Sequence, residues 1–165
     1  MKERPKINLP MTSKEWVVEI LCVLAILTTI VLLVINYVRL PERVPSHFDF
    51  SGAADGWGSK SVLFMLPCLM IGLYLVMTIV ARFPRIFNMP IEITEENAER
   101  EYRLARGMVA VIKLEIVLFM ALFEWQTIKA AAEGRLQMGM WYTIAFVGVI
   151  FATIAVSIVL MFRKQ

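Results

Sequence analysis

The chain has 165 residues, 59% of which are hydrophobic, and a formal net charge of +3 at pH 7. Soluble domains are typically about 45–50% apolar, so this excess argues against a water-soluble fold. The small positive charge, carried by basic residues that flank apolar runs, excludes a nucleic-acid-binding stripe.

Four long apolar runs follow one another along the chain. Each approaches the ~20 residues that a helix needs to cross a hydrocarbon core of ~30 Å. Helices satisfy their own backbone hydrogen bonds, which lipid cannot do for them. The sequence predicts an all-α fold, a four-transmembrane-helix bundle made by a single integral membrane domain, residues 1–165. The predicted spans are 16–37, 62–81, 107–128 and 141–162.

Basic residues near the span ends predict the orientation, because cytoplasmic loops carry an excess of Lys and Arg. Most of them lie in the N-terminal tail, in the segment 82–106 and at the C-terminus, and fewer lie in the loop 39–60. We therefore expect both termini and the segment 82–106 in the cytoplasm. The loop 39–60 is then the outer loop.

Two helix starts carry capping residues. Thr12 or Ser13 can cap the first helix, since a side-chain oxygen at this position accepts from a free backbone N–H group. Thr94 is a second N-cap candidate, followed by Glu95 and Glu96 where the helix dipole favours acidic groups. The third helix is therefore expected to begin near Glu95, before the membrane.

The segment 40–60 contains the sharpest compositional signal. His47 is the only histidine of the chain, and Asp49 and Asp55 are its only aspartates. Prolines stiffen the start of this segment because proline fixes φ, and glycines permit tight turns. The candidate ligand-binding residues are Pro41, Pro45, His47, Phe48, Asp49, Gly52, Asp55, Trp57 and Lys60.

Three interpretations of this segment stay open. One imidazole and two carboxylates, from His47, Asp49 and Asp55, could bind zinc or another transition metal, although their spacing matches no closed motif. Alternatively, the segment is a recognition surface for a ligand or partner, since functional residues favour loops on a rigid scaffold. In the third interpretation the residues are structural, with Asp55–Gly56 forming a turn and His47 bonding locally.

Charged residues also fall within the predicted spans. Lys113, Glu115 and Glu124 lie in the third span, and Glu19 lies near the inner end of the first. An ionisable group at the bilayer centre costs at least ~2.5–3.5 kcal/mol, so each should have a partner or a function. We expect Glu19 to pair with Lys113 and Glu115 to face the bundle interior, whereas Glu124 could reach water past Trp125. Structural ion pairing is favoured over a transport or proton-relay role.

No motif of a known catalytic class is present. The chain lacks G-x-S-x-G, H-E-x-x-H and a Gly-rich phosphate loop. A non-enzymatic protein without a cofactor is therefore expected. The alternatives are a metal-binding or transport-related membrane protein that uses His47, Asp49, Asp55 and Glu115, and a structural subunit of a membrane complex.

Two stretches resemble a known family. The first is L-P followed by V-P-S-H-F-D and G-A-A-D-G-W-G-S-K within 40–60, and the second is F-N-M-P-I-E-I-T-E-E-N-A at 87–98. Together they resemble a bacterial membrane family catalogued as a domain of unknown function, which forms the N-terminal part of Sdp-type toxin-immunity proteins. The resemblance runs from about 40 to 106.

The resemblance implies a multi-pass protein of the bacterial inner membrane. Sdp-type immunity proteins protect the cell from a secreted peptide toxin and signal its presence by binding a repressor at the membrane. We therefore expect the bilayer, an extracytoplasmic peptide ligand bound by the segment 40–60, and a cytoplasmic regulatory partner at 82–106. The additional C-terminal helices of the full immunity proteins are not expected here.

Overall fold

The computed structural model describes residues 4–49, 51, 53–133 and 141–163. These residues form a mostly helical structure, as predicted, but the segment 40–60 contains a β-hairpin, so the all-α prediction is wrong in this segment. Two short 3-10 helices, Lys60–Phe64 and Pro84–Ile86, flank the second α-helix. The helices are α1 Ser13–Tyr37, α2 Met65–Val80, α3 Ala98–Glu133 and α4 Trp141–Phe162, and the strands are β1 Arg43–Phe48 and β2 Ala54–Ser59.

Three helical segments in the described part of the chain are long and apolar enough to cross a membrane. They are Ser13–Tyr37, Lys60–Val80 and Trp141–Phe162. These segments indicate a membrane protein. The helix α3 is the longest of the described helices, but its charged residues lower its hydropathy, and it is not among these three segments. The predicted span 107–128 therefore stays a prediction.

The helix α3 lies at the centre of the bundle, where it packs against α1, α2 and α4. The predicted contact between Lys113 and Glu19 is confirmed: the Lys113 ammonium donates to Glu19 Oε1 and, over 2.9 Å, to Thr78 Oγ1. The same ammonium lies 5.0 Å from the centre of the Tyr74 ring, whose hydroxyl donates to Glu19 Oε2 over 2.8 Å. This network joins α1, α2 and α3.

The N-terminal tail is held against α3 by Arg106. Thr12 caps α1, as predicted, in a reciprocal capping box with Glu15. The Arg106 guanidinium donates to both carboxylate oxygens of Glu15 and to the backbone carbonyls of Leu9 and Pro10, at 2.7 and 2.9 Å. The planar guanidinium can serve several acceptors at once, which a lysine ammonium could not do in this geometry.

The helix α3 begins at Ala98, three residues later than the predicted start at Glu95. The Thr94 hydroxyl accepts from the Asn97 backbone N–H over 3.4 Å, and the Asn97 side chain accepts from the Thr94 N–H over 2.9 Å. Thr94 thus bonds to the start of the helix as a cap does, with asparagine in the place of the usual glutamate. The intervening residues form a turn.

Glu115 faces α4, as predicted for a residue of the bundle interior. Its Oε1 accepts from the Thr153 hydroxyl over 2.5 Å. Four residues further along α3, Phe119 stacks on Phe146 of α4 with the ring centres 4.0 Å apart. These two contacts hold α4 against α3.

Replacing Lys113 by methionine should destabilise the protein by about 3 kcal/mol, the lower end of the range for buried pairs, because the partly buried Glu19 carboxylate would lose its counter-ion. The double variant Glu19→Met/Lys113→Met should recover most of this loss, since no unpaired charge is left buried. Reversible unfolding in sodium dodecyl sulfate measures both values.

Lys129→Met is the matched control, because Lys129 lies on the same helix and is exposed. It should change the free energy of unfolding by no more than about 0.5 kcal/mol. A Lys113→Met protein as stable as the Lys129→Met protein would show that the Lys113–Glu19 pair does not hold the three helices together.

Candidate ligand site beneath the hairpin

The hairpin is antiparallel and irregular. Val44 pairs with Gly58 and Pro45 with Trp57, but the register shifts on both sides of His47, which lies opposite Gly56. Such irregularities twist a strand and redirect its side chains. The hairpin thereby places His47 and Asp55 next to each other.

The turn of the hairpin is organised by Asp49. Its Oδ1 accepts from the Ser51 N–H at 2.8 Å, from the Ser51 hydroxyl at 2.6 Å and from the Ala53 N–H at 3.0 Å. Aspartate side chains commonly stabilise turns in this way. The interpretation of Asp55–Gly56 as the turn is wrong, since both residues lie within β2.

His47 and Asp55 form a close pair on the hairpin. The His47 Nδ1 atom and the Asp55 Oδ1 atom are 2.5 Å apart, and the two side chains are 72% and 47% exposed. The pair forms because the bulged register brings residues eight positions apart in the chain to the same place. It can bind a polar group at the rim of a site.

Buried residues fix the base of the hairpin on the bundle. Val44 is fully buried against Leu33 of α1, Leu63 and Ile128 of α3. Lys60 donates to Glu42 over 2.9 Å and lies 5.0 Å above the Tyr37 ring. The base of the hairpin is therefore held on the bundle by both apolar and ionic contacts.

A cavity of about 820 Å³ lies beneath the hairpin, between the neighbouring ends of α2, α3 and α4. We call it the hairpin cavity. Drug-sized ligands occupy cavities of about 300–1,000 Å³ in proteins. Most of its lining is apolar and includes Val62, Leu66, Phe123, Ile144 and Val147.

The charged groups that line the hairpin cavity are mainly acidic. They are the carboxylates of Asp49, Asp55 and Glu124, together with the His47 imidazole, and no Lys or Arg among the described residues joins them. Glu124 is only 2% exposed, and its Oε1 finds no hydrogen-bond partner within the described part of the chain. The sequence allowed Glu124 to reach water past Trp125. The structure instead shows the Glu124 side chain buried.

The three proposed metal ligands do not converge. His47 and Asp55 are paired, whereas Asp49 bonds to the turn. Within the ranges that the structure describes, no three His, Cys, Asp or Glu side chains are close enough together to hold a metal ion. The geometry thus gives no support to the metal interpretation.

The structure brings together some of the predicted binding residues and separates others. Pro45, His47, Phe48, Asp49 and Asp55 line the hairpin cavity. By contrast, Pro41, Trp57 and Lys60 are not part of the lining. Pro41 and Trp57 are exposed, and Lys60 supports the base of the hairpin. Gly52 lies outside the described residues. Sequence reasoning missed the contributions of α3 and α4 to the lining: Phe123, Thr127, Thr143, Ile144 and Val147.

A second cavity, of about 690 Å³, lies at the other end of α1 and α2 beneath the N-terminal tail. Both carboxylates on its wall, Glu15 and Glu19, are paired with Arg106 and Lys113. Its charged groups are thus largely used to hold the helices together. The hairpin cavity is the better candidate because Glu124 there lacks such a partner.

Part of the chain matches a known family. A family described as "Domain of unknown function (DUF1648)" matches residues 23–71, which include most of α1, the hairpin and the start of α2. An uncharacterized protein of Archaeoglobus fulgidus is 29% identical over an alignment that covers 68% of this chain and 69% of the relative. No solved structure matches the chain.

Gly56→Ala should disturb the hairpin, because the added Cβ would lie 2.8 Å from the His47 Cβ. We expect a loss of about 1–3 kcal/mol, the usual cost of overpacking. Faster amide hydrogen exchange in both strands would report it. Gly72→Ala is the control: nothing lies within 4 Å of its added Cβ, and exchange in the hairpin should not change. Equal exchange in the two variants would contradict the close approach of Gly56 to His47.

Proposed function

We propose that this protein is a non-enzymatic, membrane-embedded receptor that binds an extracytoplasmic ligand in the hairpin cavity. The observation that carries the proposal is the cavity itself, an apolar chamber of about 820 Å³ covered by the hairpin and containing the partnerless Glu124 Oε1. Apolar cavities with a few placed polar groups are the usual form of binding sites. The family match covers the hairpin and the end of α2 that borders the cavity.

The orientation in the proposal follows the positive-inside rule. Both termini and the segment 82–106 lie in the cytoplasm, and the hairpin lies outside. In this arrangement the helix α3 also crosses the membrane, which brings the number of spans to four. Its charged residues are compatible with lipid because Lys113 and Glu115 are bonded to neighbouring helices rather than exposed.

The ligand in our proposal is a membrane-active peptide, as in the Sdp-type immunity proteins that the chain resembles. An amphipathic peptide reaches the membrane surface, where the hairpin lies in the proposed orientation. Its apolar side chains suit the apolar lining of the cavity. The cytoplasmic segment 82–106 would then contact a regulatory partner.

Cysteine labelling tests the orientation. In a chain with Cys22 and Cys68 replaced by alanine, Arg43→Cys should react with a membrane-impermeant maleimide added to intact cells. Glu99→Cys should react only after the cells are opened. Both positions are exposed, so the difference reports the side of the membrane rather than burial. The opposite labelling pattern would refute an extracytoplasmic hairpin.

Survival of bacterial cells that express the protein tests the receptor function. The cells are exposed to a panel of membrane-active peptides, from cationic amphipathic helices to uncharged hydrophobic peptides. We expect the unmodified protein to raise the inhibitory concentration of at least one peptide. Val147→Trp should abolish this protection, because the indole fills part of the cavity that Val147 lines.

Val149→Trp provides the matched control. Val149 lies on the same helix, is 50% exposed and does not line the hairpin cavity. Its replacement adds the same bulk and should leave protection unchanged. Protection against no peptide, or equal protection by both tryptophan variants, would count against recognition of a peptide in the cavity.

A further inference from the structure

We infer that the hairpin cavity selects a ligand that carries a cationic ammonium or guanidinium group, and that Glu124 is the residue that determines this selectivity. The inference rests on the proposed function and names the chemical class of the ligand. It depends on the position of one carboxylate rather than on the size of the cavity.

Three buried glutamates have one carboxylate oxygen without a donor among the described residues: Glu101, Glu115 and Glu124. Glu101 and Glu115 each have a donor on the other oxygen, and neither lines the hairpin cavity, whereas Glu124 does. Glu19 accepts from Lys113 and Tyr74, and Glu115 accepts from Thr153. The Glu124 side chain is 2% exposed, and no described residue donates to its Oε1. A buried carboxylate oxygen left without a donor costs free energy, so a donor brought by a ligand would be bound strongly.

The surroundings of Glu124 favour a cation over a neutral donor. Asp49 and Asp55 also line the cavity, and no described Lys or Arg side chain does. The nearby imidazole of His47 is already paired with Asp55. A cation that enters therefore meets the Glu124 Oε1 atom, from which no described donor has to be displaced.

The apolar lining requires the rest of the ligand to be apolar. Val62, Leu66 and Val147 offer no hydrogen bonds, so the part that contacts them must be apolar. An ammonium in such a lining needs a counter-ion, because an unpaired charge in an apolar site is strongly disfavoured. A ligand with an apolar body and one cationic group fits both requirements, as a lysine or arginine side chain of an amphipathic peptide does.

Three compounds with the same apolar cage test the inference: 1-adamantylmethylamine, 1-adamantylmethanol and 1-adamantaneacetate. Their dissociation constants are measured by calorimetry with the full chain in an uncharged detergent, with detergent alone as the blank. We expect the ammonium compound to bind about tenfold or more tightly than the alcohol, because hydrogen bonds to charged groups are the stronger ones. The carboxylate should bind most weakly.

The variant Glu124→Gln should lose the preference for the ammonium compound. Glu115→Gln, the matched control on the same helix, should keep it, because Glu115 contacts α4 and does not line the cavity.

A second measurement on the unmodified protein covers the case in which Glu124→Gln does not fold. Dicyclohexylcarbodiimide, an apolar reagent for carboxyl groups, should modify Glu124 more slowly with the N,N,N-trimethylated ammonium compound, which cannot be acylated, than with the alcohol, as read by peptide mass spectrometry.

Equal affinity for the three compounds, or an ammonium preference that persists in Glu124→Gln, would overturn the inference and leave the receptor function standing. Binding of none of the compounds would also overturn it. The survival contrast between Val147→Trp and Val149→Trp then decides the receptor function separately, because it does not depend on the charge of the ligand.

Discussion

The pairing of buried charges on α3 is the constraint on which the rest of the bundle depends. An unpaired charge is costly in apolar surroundings, so a helix that carries Lys113 and Glu115 near its middle requires a partner for each of them. The structure places α3 in the middle, where Lys113 meets Glu19 and Thr78, and Glu115 meets Thr153. The more apolar helices α1, α2 and α4 all pack against it.

This arrangement also creates the candidate site. Both α2 and α4 pack against α3, and the space between their hairpin-side ends is left open beneath the strands. Glu124 lies on the part of α3 that borders this space, whereas the charges nearer the other end are consumed by helix contacts. The same central helix thus carries the residues that hold the bundle together and the carboxylate that we assign to the ligand.

The two ends of the molecule use their charges differently. At the tail end, Arg106 and Lys113 each hold a glutamate of α1, which fixes the tail and the helices. At the hairpin end, Lys60 pairs with Glu42 and His47 with Asp55, whereas Glu124 Oε1 has no donor among the described residues. Because Glu124 lines a cavity, a ligand bound there can supply the donor that its Oε1 lacks.

The sequence by itself determined that three helices are long and apolar enough to cross a membrane. It also predicted an N-cap at Thr12 or Ser13 and the Glu19–Lys113 contact. The length of an apolar run and the capping of a helix depend on residues close together in the chain. The cost of an unpaired charge predicts pairing between groups at the same depth. Only the tertiary structure decided that Pro45, His47, Phe48, Asp49 and Asp55 share a cavity with Glu124, whereas Trp57 does not. The strand register, which is bulged at His47, and the separation of α2 from α4 are long-range packing outcomes that no local pattern records.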